Sequence, residues 1–312
     1  MDKQRRKILI IKLGYSETLI PEIGNRCSLG DVLRSTVVLH LFKDDHVTWL
    51  TDIAAVPLLM ENPYIDRILP FDLLSVLQLE EERYDKVINL EKVPGICALV
   101  NRISAWSHFG FRFDQETGTA EAFEHSHEAL AVATRGDIKK LNIKCWAEVL
   151  YDMLGAKWNG EDLILGYRPG NEPEFDLGFN TNVGPLLPLK AWPEDHWRQL
   201  EKRIGGSYSV TYQQHLHNLI GYMDWINSCK MLITSDSLGL YLGIALGKKV
   251  LALFGPSSEI DQSPHPNLRF VKPPLDRECI PCQKKECELN DPCMAYITPE
   301  QVLAAIDDWR VE

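Results

Sequence analysis

Short, nearly continuous apolar runs alternate through most of the chain with stretches whose apolar positions return at helical spacing. A strand buried on both faces reads as a continuous apolar run, so this alternation predicts parallel sheets with helical crossovers, an α/β fold. Strands are predicted over 7–13, 46–51, 64–69, 84–90 and 107–112, with a helical run over 31–42 and a helix-rich stretch over 120–154. The Pro- and Gly-punctuated segment 167–173 reads as an interdomain linker, giving domains 1–168 and 169–312. The second half restarts with strands over 175–181, 208–212, 230–234 and 249–254, helices over 197–204 and 238–246, and a helical stretch ending at Cys229. Thr298, Pro299 and Gln301 supply a cap, a first helical Pro and a capping-box partner, which predicts a terminal helix over 298–309.

Composition narrows the function. A chain of 312 residues suits two domains, at about 150 residues each. With 33 Lys and Arg against 44 Asp and Glu the net charge is −11, which argues against broad affinity for nucleic acid or anionic lipid and requires a local site for any polyanionic ligand. Only Lys3, Arg5, Arg6 and Lys7 form a basic candidate for the membrane surface, so association is expected to be peripheral at most. No apolar stretch is long enough for a span, and no cleavage site follows the first apolar run, which points to a cytoplasmic protein.

Ligands of open parallel sheets bind beyond the carboxyl ends of strands, which directs attention to two loops. The first ends in Ser28-Leu-Gly-Asp-Val-Leu-Arg and sets Asp31 in the first turn of a helix, where a carboxylate can be a general base or a dipole-favoured helix-start acid. The second, Thr234-Ser-Asp-Ser-Leu-Gly, runs a buried strand into hydroxyls, an acid and a helix start, a seat for a diphosphate. Gly239, Gly243 and Gly247 recur every four residues, the spacing of close helix packing. Neither loop matches the dinucleotide fingerprint or the P-loop. Lys190 stands just before a Pro-started helix, where it can neutralise phosphate or be a solvated lysine, and Phe254-Gly-Pro-Ser-Ser can line a cleft or turn the chain. His125-Ser-His-Glu lacks a partner at metal-site spacing. Of eight cysteines, Cys27, Cys97, Cys145 and Cys229 are scattered, whereas Cys279, Cys282, Cys287 and Cys293 form a C-x2-C-x4-C-x5-C array that suits either reduced thiols or a structural zinc or iron ion.

Taken in order, Ile8-Leu-Ile-Ile-Lys-Leu-Gly, Leu29-Gly-Asp-Val-Leu-Arg-Ser-Thr, Val47-Thr-Trp-Leu-Thr-Asp, Lys190-Ala-Trp-Pro, Thr234-Ser-Asp-Ser-Leu-Gly and Val250-Leu-Ala-Leu-Phe-Gly-Pro-Ser resemble the glycosyltransferase family 9 heptosyltransferases, and the closing cysteine array is similar to the tail of one branch. The resemblance implies a GT-B fold: two Rossmann-like domains with parallel sheets facing a central cleft, acceptor side first, donor nucleotide second. It implies inverting, metal-independent transfer from ADP-heptose or another nucleotide sugar to a glycan or glycolipid hydroxyl, with Asp31 as the base. Lys190, Ser235, Asp236, Ser237 and Gly239 fall on the donor-binding positions, with Lys190 at the phosphate and Asp236 at sugar hydroxyls. Three departures mark this chain: an insertion over 15–28, Leu238 and Tyr241 where the family has Gly and His, and a short 204–215 segment that abbreviates the second domain. These departures keep open a catalytically inactive nucleotide-sugar-binding or interaction protein.

Overall fold

The computed structural model describes residues 5–15, 26–185, 187–214, 217–282, 284–289 and 291–311. Lys3 and residues 16–25 of the insertion lie outside the described residues. The chain divides into two compact units, Met1–Tyr167 and Arg168–Glu312.

In the first unit, strands β1 (Lys7–Ile11), β2 (His46–Thr51), β3 (Arg67–Pro70), β4 (Arg83–Asn89), β5 (Ser104–Phe113) and β6 (Ala120–Ala122) form one sheet in the order β3-β2-β1-β4-β5-β6. β1 lies at its centre, paired in parallel with β2 and β4, and Ile8, Leu9, Ile10 and Ile11 are fully buried because side chains on both faces meet packed helices. The predicted helical run is present over 29–42 but changes pitch: an α-helix over Leu29–Ser35 tightens into a 3-10 helix over Thr36–Phe42. One strand escaped the sequence pattern. β6 is three residues long and pairs antiparallel with Phe111–Phe113 of β5, a short edge inside a stretch that reads as helical.

The second unit carries β7 (Phe175–Asn180), β8 (Val210–Tyr212), β9 (Cys229–Ser235), β10 (Lys249–Leu253) and β11 (Leu268–Val271), all parallel, in the order β11-β10-β9-β7-β8. β11 is a second omission of the sequence pattern; its Arg269 is half-buried on an edge strand and dilutes the apolar run. Phe179, Trp197, Leu200, Ile233, Leu251 and Ile306 centre the core. The closing helix, Pro299–Val311, starts with the reciprocal bonds its sequence predicts: the Thr298 amide donates to Gln301 Oε1 (2.8 Å), and the Gln301 amide donates to Thr298 Oγ1 (3.3 Å).

Two residues of the basic N-terminal segment form ion pairs within the first unit. Arg5 pairs with Asp66 (2.8 Å) and Arg6 with Asp45 (2.6 Å). These guanidinium groups fasten the start of β1 to Asp45 ahead of β2 and Asp66 ahead of β3, and both side chains stay half-exposed. No helix among the described residues is long and apolar enough to cross a membrane.

Arg67, which starts β3, meets Glu82, which precedes β4, through both carboxylate oxygens (2.9 and 2.6 Å), and Tyr84 Oη donates to the same carboxylate (2.6 Å). The Arg67 bond, then Tyr84 and Gln78, hold the Glu82 carboxyl down to about 2 against the opposing pull of burial. A carboxyl depressed on folding stabilises above its unfolded pKa and loses that contribution as pH falls through the folded one. Glu82→Gln is therefore expected to lower stability at neutral pH by about 1 kcal/mol. In urea titrations at stepped pH, the gap between the two proteins should close between the ordinary Glu value of 4.5 and about 2.

Candidate functional site

Strand order locates the sites before any side chain is considered. In the first unit the chain moves outward from β1 to β3 and returns to the other side of β1 as β4, so the carboxyl ends of β1 and β4 flank a topological switch point. In the second unit the corresponding break lies between β7 and β9.

At the first switch point β1 runs into Lys12, Leu13 and Gly14. Gly14 has φ +81°, and a Cβ there would lie 2.7 Å from the Ser28 carbonyl oxygen and 2.9 Å from the Ser28 nitrogen. The close approach lets the Ser28 amide donate to the Gly14 carbonyl (2.8 Å), while the Ser28 carbonyl accepts from the amides of Asp31 (3.0 Å) and Val32 (3.2 Å). Asp31 thus enters the first turn of the helix Leu29–Ser35 with its side chain 47% exposed, 3.3 Å from Arg34 Nε. Arg34 lies over the Trp146 ring at 4.7 Å, so the pair presents a held carboxylate to solvent.

Sequence reasoning passed over the groups beneath it. Glu91, only 1% exposed, follows β4 and accepts at one oxygen from the amides of Leu13 (2.8 Å) and Gly14 (2.6 Å), with Lys12 Nζ at 3.0 Å. Asn89 fixes this turn: its amide group donates to the Glu91 carbonyl (2.9 Å) and its Oδ1 accepts from the Glu91 amide (3.0 Å). Tyr15 Oη donates to Asp52 (2.7 Å). Burial first, then the Asp52 charge, pushes the Cys27 thiol up to about 12; Lys12 opposes the rise, and Glu91 and Asp31 add to it. Cys27 is thus a neutral filler among charged neighbours.

At the second switch point the structure brings Lys190 and Asp236 together across 46 positions, with Lys190 Nζ donating to Asp236 Oδ2 at 2.6 Å. Lys190 ends the short 3-10 turn Pro188–Lys190, and Asp236, 8% exposed, follows β9. Ser235 is buried, and Ser237 begins the helix Leu238–Ala245. Behind them runs a buried polar relay that no motif announced. Tyr222 Oη donates to Asn180 Oδ1 (2.7 Å), and Asn180 Nδ2 donates to Thr234 Oγ1 (2.7 Å) and Ser237 Oγ (3.1 Å). Asn180 closes β7, so this relay spans the switch point and sets the Ser237 hydroxyl. The signal available in the sequence was an uncharged polar residue ending an apolar strand.

The three spaced glycines serve three ends. A Cβ at Gly239 would lie 2.4 Å from Asn180 Nδ2, and one at Gly243 would lie 2.7 Å from Val250 Cγ2. Gly239 makes room for the relay and Gly243 seats the helix on the sheet, as a packing role requires. Gly247, at φ +71°, ends the helix.

Cys279, Cys282, Cys287 and Cys293 line one cavity of about 20 Å³ with Leu189, Pro256, Arg277, Ile280, Leu289 and Pro292. Burial and the other three thiols push the Cys293 thiol up. The cluster borders the Lys190 turn and the end of β10: Leu189, which lines the cavity, precedes Lys190, and a Cβ on Gly255 would lie 2.9 Å from Cys293 Sγ. Among the described residues, no three His, Cys, Asp or Glu side chains stand as a ready metal-ligating group, which applies to this array and to His125 and His127.

Removing the relay exposes its worth. Asn180→Leu removes the acceptor of the buried Tyr222 hydroxyl, leaving it the Gln213 side chain, and should cost about 1 kcal/mol, read in urea as a lower midpoint at unchanged slope.

No protein-family model matches the chain. The lipooligosaccharide heptosyltransferase 2 of Campylobacter jejuni serotype O:6 is 34% identical over 79 residues, a stretch that spans a quarter of this chain and a quarter of that protein. Among solved structures, a glycosyl transferase family 9 protein of Veillonella parvula superposes with a TM-score of 0.65 at 19% identity, over 100% of this chain and 99% of that one. Escherichia coli heptosyltransferase WaaC with ADP-2-deoxy-2-fluoro heptose gives 0.61 at 14%, over 97% and 99%. TibC, a bacterial iron-containing dodecameric glycosyltransferase of enterotoxigenic E. coli, gives 0.61 at 12%, over 99% and 80%. The chain therefore has the GT-B fold of these proteins and is similar to the heptosyltransferases of glycosyltransferase family 9.

Proposed function

We propose that the protein is a glycosyltransferase that moves a heptose or related sugar from ADP-heptose to a hydroxyl of a bacterial surface glycan such as lipopolysaccharide core. The observation that carries this reading is the Lys190–Asp236 pair at the switch point of the second unit, bordered by Ser235 and Ser237. An ammonium has three donors, so Lys190 can keep Asp236 and still meet a diphosphate oxygen. Amide groups at the start of the helix Leu238–Ala245 and the Ser237 hydroxyl add donors to the same charge. Leaving-group charge is met in this way by the chain's own cations and dipoles, which is why transfer is proposed to be independent of a catalytic metal. WaaC's ADP-2-deoxy-2-fluoro heptose supports an ADP-heptose donor.

Asp31 is the proposed base. Its carboxylate takes the proton of the acceptor hydroxyl as that oxygen attacks the anomeric carbon from the face opposite ADP, and the configuration inverts. Asp236 is proposed to share its carboxylate between Lys190 and sugar hydroxyls. The reaction is placed in the cytoplasm, with at most peripheral contact to the membrane. Asp31→Asn should abolish ADP release in the presence of a lipopolysaccharide-core acceptor preparation while retaining the thermal stabilisation given by ADP-heptose. Undiminished turnover would remove the role of Asp31, and stabilisation by ADP-heptose without transfer in the unmutated protein would favour a binding protein instead.

We also propose that the four thiols hold a structural zinc or iron ion. Support comes from their common cavity, from soft-donor chemistry and from the iron-containing TibC. Ligation requires the sulfurs to draw closer together than they now stand. Elemental analysis should find one zinc or iron per chain. Chelation, or Cys282→Ser, should lower the melting temperature and weaken stabilisation by ADP-heptose, because Leu189 would lose its support.

A further inference from the structure

The geometry points to Glu91 as the residue that positions Asp31, acting through the backbone rather than on the reacting atoms. The inference rests on the reading of Asp31 as base, and its structural half stands apart from that reading. Four consecutive links run from Asn89 through Glu91 to Asp31. Asn89 holds the Glu91 turn through two hydrogen bonds of 2.9 and 3.0 Å. Glu91 in turn receives the amides of Leu13 and Gly14 at 2.8 and 2.6 Å, just beyond the last β1–β4 pair, Ile11 with Asn89. Gly14, bent to φ +81°, offers its carbonyl to the Ser28 amide at 2.8 Å. The Ser28 carbonyl then collects the amides of Asp31 and Val32 and starts the helix.

A carboxylate suits the second link for a physical reason. The first turn beyond a buried parallel strand leaves amide donors with no ladder partner, and an ionised acceptor makes charge-assisted bonds to two of them at once. Burying that charge is costly unless it is paired, and Lys12 Nζ at 3.0 Å supplies the pairing. The Gly14 end of the relay has little slack, because a Cβ on Gly14 would strike Ser28. Loss of the Glu91 oxygen releases two amides at the base of the loop, and the release is transmitted through the Gly14 carbonyl to the Ser28 amide ahead of Asp31.

The test compares Glu91→Ala, Glu91→Gln and Asp31→Asn in the full chain. Hydrogen exchange in Glu91→Ala should accelerate over the helix Leu29–Ser35 and remain unchanged in the second unit; unchanged exchange in that helix overturns the proposal whatever the activity. With ADP-heptose and a lipopolysaccharide-core acceptor preparation, kcat of Glu91→Ala should fall by about 10²-fold, the scale of a misplaced catalytic group, with the donor KM unchanged. Glu91→Gln, which keeps an acceptor oxygen for the two amides, should recover most of the loss. A kcat equal to the unmutated protein, or a loss matched by an equal rise in donor KM, overturns the positioning role. Where Glu91→Ala fails to fold, Glu91→Asp, which withdraws the oxygen by one methylene, gives the same comparison. If Asp31→Asn keeps its turnover, the base assignment fails on its own and the exchange result still decides whether Glu91 orders the helix.

Discussion

A parallel sheet covered on both faces can offer chemistry only at its strand ends, and that constraint organises both units. β1 is buried from Ile8 to Ile11, and β9 is buried from Met231 to Ser235. Side chains along such strands are committed to packing, and every ladder amide is committed to a neighbouring strand. Backbone donors first become available one or two residues past the carboxyl end, and at a switch point no crossover covers them. Lys12, Gly14 and Glu91 occupy that place in one unit; Asn180, Asp236 and Ser237 occupy it in the other.

The sequence displays the strands that obey this constraint and hides what joins them. β1, β9 and β10 are legible because their apolar runs are nearly continuous, β2 and β4 because Val47 to Leu50 and Val87 to Leu90 keep an apolar stretch, and the candidate residues Asp31, Lys190 and Asp236 are legible because they follow or border strand or helix starts. β6 is hidden because three residues cannot establish a period, and β11 because Arg269 interrupts it. Glu91 and Asn180 are hidden for a different reason. Their roles arise from the register of β4 against β1 and of β7 against β9, pairings between residues 54 to 78 positions apart. Local periodicity predicts strands, and strand register is a property of the assembled sheet. The spaced glycines teach the same point, since one pattern in the sequence resolves into a polar relay, a sheet contact and a helix end.

The two switch points share a device. Each carries a lysine held by a carboxylate that the fold has largely removed from water: Lys12 with Glu91, and Lys190 with Asp236. Such a pair contributes little to stability compared with apolar packing, because desolvating both charges offsets their attraction. Its use is positional. A paired lysine keeps its ammonium in one place and retains donors for an incoming anion, whereas a solvated lysine has to be ordered at the moment of binding.

That distinction matters in a chain of net charge −11, which repels polyanions at long range. Ionic screening confines the repulsion to about 8 Å at physiological salt. Inside that distance the nearest fixed groups decide the outcome. At the second switch point these groups are the Lys190 ammonium, the Ser237 hydroxyl and the first amides of the helix Leu238–Ala245, and each can donate to phosphate. The acidity of the whole chain and its proposed use of a nucleoside diphosphate sugar are therefore compatible: the global charge discourages indiscriminate binding, and a preordered local cation admits a ligand that reaches it.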